Sequence, residues 1–420
     1  MSEQGTATSE ATKKAKEAKL GKGVRQLNLI DALPTALLVS IIALLPISSM
    51  YACRFVCKLF RRLIEEHFSK LWITGSPYTT VVFKNDVGVQ LLELGKGGYC
   101  KAYKSIFPRC TKIVGSCNGL LCSVILNNYY DERASSNEAH NLWTTRLVQV
   151  CNPILGQYVT LPKAKITFWM KDVFGFGVSS RTRSYKVLRI STRRDPPHLI
   201  YKKKSDAEIV TIGTDHYTWR CLKHLPYPSN QEILAAIVEG SFHWLFDNEM
   251  QNITSLQAFN IEEERPYQIP IPPNIKNCNV MRVGVLQDCL SIFDNSVPGK
   301  FSIWSMKEYG VMESWTLQFN LNTSIPGGLE SLDASVICPV AVLRDESIFI
   351  KSQNGNFYTY DQKNKKFAKF ESDNMEVLGE LNGHIVHSPN FCPADILATR
   401  CLKFQDSLND ALWIQRRSDY

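Results

Sequence analysis

The chain has 420 residues, 44% of them apolar and 21% charged, with a formal net charge of +8. That size and balance suit two or three globular domains with a large core, and a surplus of cations this modest does not by itself indicate a nucleic-acid binder. The 13 cysteines are irregularly spaced behind a polar, charged start with no early apolar core. A secretory leader is therefore not expected, and free thiols in a reducing compartment, cytoplasmic or nuclear, are.

Residues 1–27 are rich in Ser, Thr, Ala, Glu and Lys, with Lys13, Lys14, Lys16, Lys19, Lys22 and Arg25 supplying part of the positive charge. With almost no large apolar groups to bury, this stretch is expected to be a disordered basic tail.

Residues 28–73 read as a small helical module. Pro34 suits a first helical turn, because its missing N–H would have no partner there anyway. Leu37, Ile41 and Leu44 form one stripe at i, i+4, i+7, and Leu38, Ile42 and Leu45 form a second beside it. A surface helix needs one apolar stripe, so two imply two covered faces. Pro46 ends this helix. Ser48 or Ser49 is expected to cap the next, which runs through Met50, Cys53, Val56, Cys57, Phe60, Leu63 and Ile64 on one face. The longest apolar run, Ala36 to Leu45, is far short of the ~20 residues that span a bilayer.

From about residue 78 to 395 the helical period gives way to short alternating or apolar runs, among them Thr80–Phe83, Leu120–Leu126, Leu147–Cys151, Val173–Val178, Tyr185–Ile190, Phe242–Phe246 and Phe357–Tyr360, separated by Gly, Asn, Asp and Pro. These are strands of a sandwich, barrel or propeller. An internal repeat favours the propeller. One unit, an apolar strand, a polar turn, then an aromatic residue leading a second strand, occurs at Val150–Pro162, Ile212–Pro226, Phe259–Pro272, Ile303–Phe319 and Tyr358–Phe370. A second unit, a turn into an apolar strand, occurs at Asn118–Cys122, Gly240–Trp244 and Gln287–Ser291. A period near 50 residues matches propeller blades of the kelch kind and allows six or seven of them. Residues 396–420 are left as a tail or closing segment. The fold class is mainly β, with a small helical module in front.

These residues carry a family resemblance. Leu33, Pro34, Leu37, Leu38, Ile41, Leu45, Pro46, Ser49, Arg54, Val56, Cys57, Lys58, Leu63 and Ile64 fall where the plant F-box motif places them. Phe60 stands for the usual Trp, Cys53 for the usual Phe, and Tyr51 for the leucine beside it. The remainder resembles the F-box-associated domain, on Gly115–Cys122, Cys151-Asn152-Pro153, Phe174-Gly175-Phe176-Gly177 with Tyr185–Ile190, Gly240–Trp244 and above all Ile303–Trp315. Phe391-Cys392-Pro393-Ala394-Asp395 departs from the family's usual wording.

The resemblance implies a non-catalytic substrate receptor of a Skp–cullin–F-box ubiquitin ligase. The helical module would dock on a small acidic Skp-type adaptor, and through it on a cullin-RING ligase. The propeller would hold the protein to be ubiquitinated for proteasomal degradation. The implied adaptor-binding residues are Leu33, Pro34, Leu37, Leu38, Ile41, Ile42, Leu45, Pro46, Val56, Cys57, Lys58, Phe60 and Leu63. Such a helix-in-groove contact draws on apolar anchors worth roughly 1.5–3 kcal/mol each. Arg54, Lys58, Arg61 and Arg62 either meet acidic adaptor surface or form a solvated helix face.

Enzyme motifs are missing: there is no phosphate-binding G-x-x-x-x-G-K-[ST], no G-x-S-x-G elbow and no H-E-x-x-H, and Gly175-Phe176-Gly177 lacks the rest of a dinucleotide fingerprint. His384 and His387 read as surface or turn residues, and Cys53 and Cys57 as small core residues one helical turn apart. The run Lys202-Lys203-Lys204 with Arg193-Arg194 reads as a solvated basic loop, and Trp169, Trp219, Trp244, Trp304 and Trp315 as propeller core. No catalytic residue, metal, cofactor, membrane or nucleic-acid partner is expected. The alternative from another class is a glycan- or small-molecule-binding propeller with no ligase role.

Overall fold

In the computed structural model, the described residues are 33–85, 88–95, 100–103, 112–129, 143–162, 170–193, 205–213, 218–222, 225–229, 236–248, 253–272, 281–297, 300–322, 338–343, 345–351, 356–370, 384–386 and 402–403. Three helices come first: α1 (Thr35–Ala43), α2 (Ile47–Cys53) and α3 (Lys58–Gly75). The apolar spacing predicts one helix from Met50 to Ile64, but the chain makes two. Residues 54–57 turn between them, and the Cys57 sulfur accepts the Phe60 N–H at 3.4 Å as the cap of α3. Cys57 is therefore an exposed capping residue rather than a core one. Neither Ser48 nor Ser49 caps α2, which follows Pro46 directly.

The described strands then form six antiparallel sheets, five of four strands and one of five, the blades of a β-propeller. Blade 1 begins with β1 (Thr79–Asn85), β2 (Gly88–Leu94) and β3 (Cys100–Tyr103), and blade 2 holds β4 (Lys112–Cys117), β5 (Leu120–Tyr129), β6 (Trp143–Asn152) and β7 (Gln157–Thr160). Blade 3 holds β8 (Met170–Val178), β9 (Tyr185–Arg193), β10 (Ser205–Ile212) and β11 (Arg220–Leu222). Blade 4 holds β12 (Ala236–Val238), β13 (Ser241–Asn248), β14 (Ile253–Asn260) and β15 (Arg265–Ile269). Blade 5 holds β16 (Met281–Leu286), β17 (Cys289–Asp294), β18 (Lys300–Met306) and β19 (Trp315–Asn322), and blade 6 holds β20 (Cys338–Val342), β21 (Ile348–Lys351), β22 (Phe357–Asp361) and β23 (Lys366–Lys369).

The repeat allows six or seven blades, and the chain forms six because its first blade is shared between distant segments. β24 (His384–Val386) pairs with β1, Val386 opposite Val81 and His384 opposite Phe83, and so closes the ring. The first strands of neighbouring blades touch around the axis: β4 meets β8, β12 meets β16, and β24 meets both β20 and β4. A last short strand, β25 (Leu402–Lys403), adds to the outer edge of blade 2 beside β7.

Apolar runs without alternation have a direct cause here. A blade is covered on both faces, so Val81 and Phe83 pack toward blade 6 while Val82 packs toward blade 2, all three fully buried. The core is accordingly six layers, one per junction. Phe174 and Phe176 join blade 3 to blade 2, Phe242 and Trp244 join blade 4 to blade 3, and Phe301 and Ile303 join blade 5 to blade 6. Gly177 belongs to this packing, since a Cβ there would stand 2.6 Å from the Ile261 side chain of blade 4.

Both repeated sequence units have a structural counterpart. Asn118-Gly119, Glu239-Gly240 and Gln287-Asp288 are two-residue hairpin turns joining the first two strands of blades 2, 4 and 5, with positive φ at both positions. Such turns match the right-handed strand twist. The polar turn of the other unit is an Asx turn. Asn152, Asn260 and Asp361 each accept two following backbone N–H groups at 2.8–3.1 Å before the fourth strand of blades 2, 4 and 6. Glu264, at φ 56°, ends one such turn and reaches back to Lys186 and Arg220 of blade 3, at 3.0 and 2.6 Å.

Indole hydrogen bonds staple successive blades. The Nε1–H of Trp219, Trp244 and Trp315 donates to the carbonyl of Pro162, Pro226 and Pro270, at 2.8, 3.0 and 2.8 Å, each time one blade back. Trp315→Phe deletes the donor and replaces the buried indole with a smaller ring. It is expected to lower stability by about 2 kcal/mol, the lost hydrogen bond and the space left behind together, read from the midpoint of urea unfolding.

A buried polar cluster joins blade 4 to the turn between β18 and β19. His243 has no exposure. Its Nδ1 lies 3.3 Å from the Ala236 carbonyl, and its Nε2 lies 2.7 Å from the Tyr309 hydroxyl, which is 2.5 Å from that of Tyr267. A carbonyl can only accept, so the neutral ring carries its proton on Nδ1 and accepts the Tyr309 proton at Nε2. Burial pushes the imidazole down from 6.5 to about 4. The neutral form is thus favoured by folding, and its contribution, full above pH 6.5, is lost as pH falls toward 4. His243→Gln should remove that part of the pH dependence, measured as a shallower fall of melting temperature across this window than in the unsubstituted chain.

Candidate docking face

α1 is nine residues long and almost wholly apolar, and the fold treats its two stripes differently. Leu38 and Ile42 are each 5% exposed and share a cluster with Met50, Leu63 and Ile64 of α2 and α3. Leu37, Ile41 and Leu44 are 53%, 52% and 57% exposed. Three large aliphatic side chains one helical turn apart, facing water, are what a partner groove takes up. Ser40 leaves that outward side free of competing polar demand by donating its hydroxyl back to the Ala36 carbonyl at 2.9 Å.

The thirteen residues expected to bind a partner divide by position. Leu33, Pro34, Leu37, Ile41, Val56, Cys57 and Lys58 are exposed, Leu45, Pro46 and Phe60 are half-buried, and Leu38, Ile42 and Leu63 are inside the chain's own core. Two exposed apolar residues were outside that set. Leu44 completes the i, i+4, i+7 stripe of Leu37 and Ile41, a signal present in the sequence. Phe55, in the turn before α3, has no periodic signal; its ring meets Tyr51 edge to face with centroids 5.3 Å apart.

The basic residues also divide. Arg54 is turned inward and donates to Glu65 at 2.7 Å, and Arg61 donates to the same oxygen at 3.1 Å. Burial of Glu65 opposes its ionisation, but these two guanidinium groups hold its carboxyl below the usual range. Lys58 and Arg62 face solvent.

The module is fastened to the propeller. Ile47 and Met50 pack in the same layer as Val82, Leu91 and Tyr103 of blade 1 and Ile154 of blade 2. At its edge sits Glu93 of β2, fully buried. One carboxylate oxygen accepts the Ile47 N–H at 3.0 Å and the other accepts the Tyr103 hydroxyl at 2.6 Å. Lys101 donates to Ser48 at 2.9 Å alongside. Burial pushes the Glu93 carboxyl up to about 7, against the opposing pull of Tyr103, the Ile47 N–H and Lys101.

Among the described residues, no group of three or more His, Cys, Asp or Glu could hold a metal ion, and no helix is long and apolar enough to cross a membrane. Trp244 and Trp315 are core, and Trp219 and Trp304 are half-buried at blade junctions. His387, Trp169 and residues 194–204 with their lysine run lie outside the described residues, as do 1–27 and 391–395.

Comparison with known proteins places these two parts together. The family model described as F-box-like matches residues 30–74, and the one described as F-box associated beta propeller domain matches residues 109–393. Blade 1 up to β3 falls between the two matches, though β24 completes it from within the second. An F-box protein of Arabidopsis thaliana is 26% identical over 381 residues, covering 80% of this chain and 87% of its own. Two more from that plant, named as an F-box/LRR-repeat and an F-box/kelch-repeat protein, are 23% and 22% identical, covering 84% and 70% of this chain and 79% and 80% of theirs. With the exposed helical stripe in front and six blades behind, the chain belongs to the F-box proteins that carry an F-box-associated β-propeller domain.

Proposed function

We propose that this chain is the substrate-recognition subunit of a Skp–cullin–F-box ubiquitin ligase, working in the cytoplasm or nucleus. It does no bond chemistry itself. The helical module docks on the Skp-type adaptor, which links it to the cullin, and the propeller holds the protein to be ubiquitinated. The observation that carries this reading is the outward stripe of Leu37, Ile41 and Leu44 on a helix whose other stripe is already buried. Leu33, Val56 and Phe55 extend the exposed apolar surface of the same module, and the exposed Lys58 and Arg62 suit an acidic adaptor. Membership in the F-box family supports the same role.

Burying a leucine-sized side chain contributes roughly 1.5–3 kcal/mol, so losing two should weaken adaptor binding about a hundredfold or more. The double substitution Leu37→Asp with Ile41→Asp is expected to abolish co-purification with the Skp-type adaptor while leaving the circular dichroism of the chain unchanged. Undiminished adaptor binding by that folded variant refutes the proposal. Leu44→Asp alone should weaken binding measurably in a calorimetric titration.

A further inference from the structure

We infer that Glu93 is a positioning residue that sets the angle at which the helical module is held against the propeller. The inference rests on the proposed receptor role only for why that angle matters. Two parts packed by apolar contact alone keep rotational freedom, because hydrophobic burial is non-directional. Hydrogen bonds are directional, and here they converge on one side chain. The Glu93 carboxylate accepts from the backbone of Ile47 in the helical module and from the Tyr103 hydroxyl in β3, so its two oxygens are engaged from different parts of the molecule. α2 is seven residues long and has no side-chain cap of its own, which leaves the Ile47 N–H among the orphan donors of a first turn. The acceptor it finds lies across the junction, 46 positions away in sequence. Lys101 reaches Ser48 on the next residue of that turn, so successive positions of α2 are tied to β2 and β3.

An acid with no exposure is a poor choice for stability alone, since a carboxylate loses more on leaving water than an apolar side chain of the same volume. The alternation of β2 would accept an aliphatic residue at this site, beside Leu91 on the same face. What the carboxylate adds is orientation. In a receptor, that orientation carries the geometry from the adaptor-bound stripe to whatever the propeller holds, and a loose joint would dilute the cargo's effective concentration at the transfer site.

The test uses the full chain, without adaptor, labelled through bioorthogonal amino acids at two exposed positions, Arg62 in α3 and Glu313 in blade 5, and reads the distance distribution between them. Glu93→Leu is expected to broaden or shift that distribution. Glu93→Gln, which retains an acceptor oxygen for the Ile47 N–H and a polar group for Tyr103, should stay close to the unsubstituted chain. Tyr103→Phe, which deletes only a hydroxyl, is the second variant should Glu93→Leu not fold, and is expected to broaden the distribution as well. An unchanged distribution in folded Glu93→Leu, or in Tyr103→Phe where Glu93→Leu does not fold, overturns the inference. Adaptor affinity is measured separately. The outward stripe shares no partner with Glu93, so affinity should move by no more than about twofold in any of these variants. Failure of adaptor binding in the unsubstituted chain would count against the receptor role and leave the distance result standing.

Discussion

Every sheet in this protein is apolar on both faces, and a sheet of that kind has no stable edge-on arrangement in water. Each blade must find a neighbour on either side, and the arrangement that satisfies all of them is a ring. Val81-Val82-Phe83 states the constraint in three residues, with alternate side chains buried toward blades 6 and 2. The indole-to-proline hydrogen bonds and the Glu264 contacts to blade 3 then fix how blades 3, 4 and 5 each sit on the one before.

The helical module obeys the same constraint by a different route. It is too small to bury two stripes of α1 by itself. The layer between blades 1 and 2 extends outward to take one of them, so Leu38, Ile42, Ile47 and Met50 are a continuation of a propeller junction. The other stripe is left in water. The asymmetry between 5% and more than 50% exposure on adjacent residues of one short helix separates a packing surface from a docking surface.

The parts of this that were legible in the sequence are those written in local spacing. The apolar runs became strands, the Asn118-Gly119 and Glu239-Gly240 turns became hairpins, and the polar turns at Asn152, Asn260 and Asp361 became Asx turns, because each depends on neighbours a few residues apart. What was not legible depends on distant partners. The helical period runs unbroken through residues 54–57, so the break there has no local signal. Which of the two α1 stripes faces inward is settled by its packing on α2 and α3, a tertiary contact that the periodicity of α1 alone does not describe. Glu93 looks in sequence like any polar position in an alternating strand, and only the approach of Ile47 and Tyr103 makes it a junction residue.

The closure of blade 1 by β24 has a consequence for how the chain is made. Val81 waits for Val386, so at ribosomal speeds of 5–20 residues per second roughly 15–60 s separate the synthesis of the two halves of that blade. During that interval β1 presents an unpaired edge and the uncovered faces of Val81 and Phe83, while the helical module ahead of it is already complete. The nascent chain therefore offers its docking surface before it has a finished ring to offer cargo to, and a message cut short before residue 384 would yield a docking module attached to an open, adhesive sheet edge.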